Sequence, residues 1–288
     1  MYDAADTTGQ PVTGLAAHPP STLLERALDL MAEGPQSAPA LASSVMGLRQ
    51  APDSVASRLA AALLGADPRV GQLPDGRWAL VAPAVGSPLV DDCAFAVVDV
   101  ETTGGRSGAR DRVMEVAVVV AQGSRTELVL DSLVNPGRPV PRMATALTGI
   151  STAMVRRAPA FEELADQVLA ALAGRVFVAH NARFDWGFLG KELKRSRDVV
   201  LSGPRICTVR LARRLLRGQE SCALDSLTDR FGLINEARHR AAGDALVTAE
   251  LLRRFLSLAK SEGFATLADL ERLCAARSGR SRRRRTRH

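Results

Sequence analysis

Between residues 95 and 134 the chain makes three runs of β-branched and apolar side chains, and nothing between them has a helical period. Residues 95–100 end in acids, residues 113–121 are almost wholly apolar, and residues 126–134 alternate after a Gln122-Gly123-Ser124 turn. Runs joined in this way form hairpins, so the three strands are expected as antiparallel neighbours. Further on the grammar changes. Helices are expected at 145–150 and 161–172, a strand at 176–179, a helix at 182–195 and a strand near 205–207. Helices at 208–216 and 224–231 and a long one from about 241 to 259 complete the order. Three strands followed by alternating helices and strands predict a mixed α/β sheet with helices on its faces.

Upstream the pattern is different. Residues 1–20 lack periodicity and read as a flexible lead-in. Residues 21–82 hold a helical segment closed by Gly34-Pro35, a short helix at 39–46 and a third from about 52 to a Gly65 stop. A small hairpin then turns on Pro74-Asp75-Gly76. Three helices and a hairpin resemble a winged-helix domain of α+β type. Residues 1–90 carry five Arg against eight acids, and the third helix offers only Arg58, so a docking or spacer role competes with duplex binding. Residues 83–92 read as a linker, 93–262 as the α/β domain, 263–276 as a C-terminal extension and 277–288 as a disordered Arg-rich tail.

The charge belongs to that tail. The chain is formally +7, and residues 277–288 hold seven Arg and no acid. Without them 31 basic side chains face 31 acidic ones, so the excess is one polycationic run suited to a polyanion. With 46% apolar and 24% charged residues the chain can bury a core. No apolar run exceeds six residues, residues 116–121 being one, so no membrane partner is expected. No secretory pattern opens the chain, and its four scattered cysteines suggest neither zinc nor disulfides. A cytoplasmic location follows as the expectation.

Four acids and one histidine fall where this layout brings them together. Asp99 and Glu101 end the first strand in D-V-E-T-T-G, and alternate strand residues share a face about 7 Å apart along the chain. Asp185 lies in H-N-A-R-F-D, where Asn181 is placed to cap the following helix. Asp244 sits inside the last long helix, with His239 five residues before it. Each has an ordinary alternative, as a solvated turn, a helix N-terminal acid or an exposed helix acid. The set of five, in order and on these elements, is what points to chemistry.

Three blocks, FAVVDVETTG (95–104), VAHNARFDWGFL (178–189) and RHRAAGDALVTAELL (238–252), resemble the DEDDh 3′–5′ exonucleases, the DnaQ-like family of the polymerase III epsilon proofreading subunit. LTGIS (147–151) and CTVRLARRLL (207–216) resemble further segments of it. The resemblance spans residues 93–260 and implies a ribonuclease H-like fold, a five-stranded mixed sheet flanked by helices. It also implies two divalent ions, Mg²⁺ or Mn²⁺, since hard cations want oxygen ligands and paired ions suit phosphodiester hydrolysis. Asp99, Glu101 and Asp244 would hold the ion nearest the attacking water, Asp99 would bridge to the second, and Asp185 would complete the shell. His239 would be the general base, because imidazole accepts protons near neutral pH. A sister group uses tyrosine there, and Tyr2 is the one tyrosine of this chain.

Substrate contacts implied by the resemblance are Thr102, Thr103 and Gly104 through their backbone, Leu147 and Ile150 as an apolar wedge, and Phe184. Core packing competes for Phe184 or Phe188. The expected reaction releases nucleoside 5′-monophosphates from the 3′ end of single-stranded or frayed DNA, in proofreading or repair, with a DNA polymerase or repair complex as partner. An RNA exonuclease of the same fold, or an adaptor whose nuclease domain only docks, are the alternatives.

Overall fold

The computed structural model describes residues 14–18, 23–65, 70–80, 86–105, 110–216 and 218–275. The Arg-rich tail, residues 1–13 and 19–20 of the lead-in, and residues 83–85 of the linker lie outside the described residues. The chain divides into two compact units, one around residues 18–87 and one around 88–275 together with 14–17.

In chain order, β1 (Ala16–His18) precedes α1 (Leu23–Met31), α2 (Ala38–Ser44), α3 (Asp53–Leu64), β2 (Val70–Gln72) and β3 (Trp78–Leu80). The first unit is built from α1 to β3. Ser37 caps α2, its Oγ accepting the Ala40 N–H at 3.2 Å, and a proline stands in the helix's opening turn, where its missing N–H costs nothing. Strands β2 and β3 pair antiparallel, and Gln36 exchanges two 2.8 Å backbone hydrogen bonds with Trp78. Met31, Leu41, Leu64 and Trp78 form the centre of this small core.

The second unit continues with β4 (Phe95–Thr102), β5 (Val113–Gln122), β6 (Arg125–Leu133), α4 (Arg142–Thr148), α5 (Thr152–Val155), α6 (Phe161–Leu172) and β7 (Val176–Ala179). Then come α7 (Ala182–Arg197), β8 (Val200–Ser202), β9 (Arg205–Cys207), α8 (Thr208–Leu215), α9 (Leu224–Phe231), α10 (Ala241–Ser261) and α11 (Leu267–Ala275). Five strands form one sheet in the order β6-β5-β4-β7-β9. The β4/β5 and β5/β6 pairs are antiparallel, as the hairpins require, and β4/β7 and β7/β9 are parallel. Alternation along β4 divides the core: Phe95 and Val97 join α10 on one face, while Ala96, Val98 and Val100 join α6 and α7 on the other.

Packing corrects three local expectations and gives the C-terminal extension its structure. Residues 14–17 are not all free lead-in, because Leu15 is buried and exchanges backbone hydrogen bonds with Gly174 and Arg175, while β1 pairs with β8. The linker is built into the unit at its far end. Val90 is buried in the main core, its N–H bonds Ala265 O at 2.9 Å, and Leu267 N–H bonds Pro88 O at 2.9 Å. The C-terminal extension contains α11, which buries Leu267, Leu270 and Leu273 against the core, each contributing about 2 kcal/mol. Its start was legible in T-L-A-D, for Asp269 Oδ2 accepts the Thr266 N–H while Thr266 Oγ1 accepts the Asp269 N–H. Finally, Asn181 precedes α7 in the left-handed region at φ 76° with no side-chain cap bond. Asn tolerates that conformation, and the role here is a sharp turn from β7 into the helix.

Candidate active site

The carboxyl end of β4 is where the acids meet. Asp99 and Glu101 point to the face covered by α10, opposite Ala117 and Glu115 of β5. The β4/β5 register shifts between Glu101 and Thr102, a strand irregularity of the kind that re-aims side chains next to sites. Asp244 lies in the first turn of α10. Carboxylate oxygens of Asp99, Glu101 and Asp244 lie within 4.8 Å of one another. Long side chains thus close the separation that the strand spacing alone leaves.

Asp185 enters from the opposite face of the sheet, in the first turn of α7. It is only 3% exposed, and its Oδ1 accepts the Val100 N–H of β4 at 3.3 Å. Helix α7 is itself pinned by Glu192, whose carboxylate takes Arg112 Nε at 2.7 Å and Nη2 at 2.9 Å. This charge-assisted pair ties the helix that carries Asp185 to the start of β5.

His239 precedes α10 and is half-buried, with the left-handed φ of 58° that non-glycine residues rarely adopt. Gly243 makes this loop possible. A Cβ there would lie 2.3 Å from Ala237 O, so only glycine lets the loop fold onto the helix. Asn235 in the same loop donates from Nδ2 to Asp244 Oδ1 at 2.5 Å and accepts the Ala237 N–H.

Crowding four carboxylates makes ionisation difficult. Burial and then the charges of Asp185, Glu101, Asp244 and Glu115 hold the Asp99 carboxyl well above its ordinary range. Glu101 is pushed up to about 8 by burial, then by Asp244, Glu115 and Asp185, with Arg240 opposing. Burial also raises Asp185 and Asp244, against hydrogen bonds from backbone N–H groups and from Asn235 respectively. A folded pKa above the unfolded one means that the native state holds protons the unfolded chain releases. Stability is then full below the unfolded value and is lost as pH rises through the folded one. In chelator, melting temperature is expected to fall on the order of 5 °C between pH 5 and pH 8. Adding Mg²⁺ should recover more of it at pH 8 than at pH 5, and scanning calorimetry at both pH values checks this.

The donor set fits a hard divalent cation. It is all oxygen, it converges within one coordination sphere, and its carboxyls resist ionisation until positive charge is supplied. Asp99, Glu101 and Asp244 would hold such an ion, with Asp185 close enough to Asp99 to repel its charge.

The implied substrate residues divide. Leu147 is 59% exposed on α4 and free to touch a ligand, whereas Ile150 is fully buried with Met114, Val140 and Val155. Ile150 therefore seats the segment and does not reach a substrate as expected. Thr102 and Thr103 have buried side chains used inside the turn, Thr102 Oγ1 donating to Gly104 O at 2.7 Å and Thr103 Oγ1 accepting the Arg112 N–H at 3.0 Å. A Cβ on Gly104 would lie 2.4 Å from the Asp111 carboxylate, the far end of a side chain that can turn aside to admit it. Phe184 packs on Phe188 at 4.8 Å and stays half-buried at the core's edge. His180 is tied by Nδ1 to Thr208 Oγ1 at 2.9 Å, and burial pushes it down to about 4. It links β7 to α8.

Sequence reasoning missed Glu115, Asn235, Arg112 and Glu192. The two glutamates carried a signal, since a lone acid inside the apolar strand 113–121, or on the buried side of a helix, needs a partner. Nothing local marked Asn235.

The family model for Exonuclease (RNase_T) matches residues 96–252, more than half of the chain and a span that contains Asp99, Glu101, Asp185, His239 and Asp244. The chain belongs to the exonuclease family. A DNA polymerase III subunit epsilon of Aquifex aeolicus is 32% identical over 57% of the chain and 81% of its own length. A DNA polymerase III subunit epsilon-like protein of Rhodobacter capsulatus is 40% identical over 64% of the chain, which spans only 26% of that relative. The crystal structure of E. coli Exonuclease I in complex with a dT13 oligonucleotide superposes with a TM-score of 0.50 at 17% identity. It covers 60% of this chain and 43% of that one, and shows the shared fold. No helix among the described residues is long and apolar enough to cross a membrane.

Proposed function

We propose that the chain is a divalent-metal-dependent 3′–5′ exonuclease that removes nucleoside 5′-monophosphates from the 3′ end of single-stranded or frayed DNA. The observation that carries this reading is the cluster of Asp99, Glu101 and Asp244 within 4.8 Å on the exonuclease fold. DNA is favoured over RNA because the epsilon relative, matched over most of its length, is a DNA polymerase subunit by name. The same names make a DNA polymerase or repair complex the expected partner.

Mg²⁺ or Mn²⁺, as a pair, would lower the pKa of the attacking water and neutralise charge on the phosphate and the departing 3′ oxygen. The protein's residues do the rest. Asp99, Glu101, Asp185 and Asp244 are the ligands, held from two helices and a strand so that their geometry is set before substrate arrives. A ring nitrogen of His239 accepts the proton of the attacking water, from a loop whose backbone reaches Asp244. Leu147 supplies an exposed apolar edge against which a terminal base can rest. The turn at 102–104 offers backbone groups to the last nucleotide.

Digestion of 5′-labelled DNA and RNA strands of matched sequence, with Mg²⁺, with Mn²⁺ and with chelator, tests this. Stepwise shortening of DNA that a blocked 3′ end prevents is the expected result. Preference for the RNA strand would move the substrate assignment, and no shortening of either strand with either ion would overturn the reading.

A further inference from the structure

Glu115 stands directly across β4/β5 from Glu101 and is 1% exposed, yet it has no part in the cluster. Its Oε1 accepts Arg240 Nε at 2.8 Å and Nη2 at 2.5 Å, and its Oε2 accepts the Ala241 N–H at 2.8 Å. Arg240 and Ala241 are the N-cap and first residue of α10. His239 comes immediately before them and Asp244 three residues after. A strand carboxylate therefore grips the start of the helix that carries two members of the site, by charge-assisted bonds and at the positive end of the helix dipole.

Beside the site the helix contact is smooth, the bulky Leu251, Leu252 and Phe255 being buried only further along α10. Ala241, Ala245 and Ala249 are fully buried in the core cluster that includes Ala117 of β5. Such small side chains interlock weakly along the helix axis, and one residue of slip is about 1.5 Å, one turn about 5.4 Å. The second displacement exceeds the 4.8 Å span of the carboxylate cluster. We propose that Glu115 is a positioning residue: by holding Arg240 and the Ala241 N–H it sets the axial position of α10, and with it where Asp244 and His239 stand against Asp99 and Glu101. This rests on the exonuclease reading above.

Two variants test it. Glu115→Gln keeps shape and removes the ion pair. Arg240→Lys, at a side chain 40% exposed, keeps the site's net charge and removes the two-donor fork. Mn²⁺ affinity by calorimetry, kcat and KM on a single-stranded DNA, and thermal melting are measured together. In Glu115→Gln the Mn²⁺ Kd is expected to rise about tenfold and kcat to fall about 10²-fold with KM within threefold. Arg240→Lys should move both in the same direction, and a purely electrostatic role would leave it near wild type. If Glu115→Gln does not fold, Arg240→Lys decides. Folded variants that melt lower but keep Mn²⁺ Kd and kcat within twofold overturn the proposal. Wild type that neither binds Mn²⁺ nor digests DNA overturns the exonuclease reading itself.

Discussion

Asp99→Ala is expected to lower the rate of Mg²⁺-dependent 3′-end digestion by about 10³–10⁴-fold while raising the melting temperature in chelator. The activity loss follows from what the residue would hold. Metal-borne charge stabilisation is worth several kcal/mol, and each 1.36 kcal/mol is about a factor of ten. The stability gain follows from crowding. Asp99 is repelled by Asp185, Glu101, Asp244 and Glu115 together, and removing it relieves that repulsion when no cation is present. The same pair of effects, smaller in stability, is expected for Asp244→Ala, whose oxygen is partly held by Asn235. Single-turnover digestion of a 5′-labelled strand and calorimetry in chelator measure the two effects. A variant retaining more than a tenth of wild-type activity would remove Asp99 from the proposed ligand set.

His239→Ala is expected to cost about 10²–10⁴-fold in kcat, the usual range for losing a general base. Here too a second readout separates chemistry from structure. His239 is only half-buried, so truncating it opens no core cavity and the fold should survive, at a small cost because the left-handed backbone there suits His better than Ala. Free imidazole should restore part of the activity of His239→Ala and none of that of Asp99→Ala, since a diffusible base replaces a proton acceptor but not a fixed ligand. Equal failure of rescue in both would argue that His239 acts through Asp244, which it neighbours, and not on the water.

These expectations draw on two layers of information. Asp99 and Glu101 share a face because strand side chains alternate, which is a property of the sequence D-V-E on any strand. Likewise β7 and β9 fall where short apolar runs lie between helical segments, and α10 begins where the H-R-A-A-G-D block meets a helical period. Such features depend on neighbours a few residues away, so they were legible before any coordinates. The strand order β6-β5-β4-β7-β9 placed Asp185 beside Val100, across 85 residues, and no local pattern reports that.

Burial was the larger surprise. Ile150, which the family resemblance placed in an apolar wedge, is enclosed with Met114 and Val140, while Leu147 three residues earlier is open. Residues 14–17 of the lead-in, 88–92 of the linker and 267–275 of the C-terminal extension are parts of the second unit. Each is too short to form structure alone, and each finds its partners only once the sheet exists. Glu115 shows the same dependence most sharply. In the sequence it is an acid that interrupts an apolar strand, and only the fold brings Arg240 from 125 residues away to make its burial favourable. The types of residue needed for the chemistry were thus set by the chain's local order. Their distances, their charge balance and the contacts that hold them came from long-range packing, because burial and charge pairing are properties of what surrounds a residue, not of the residue itself.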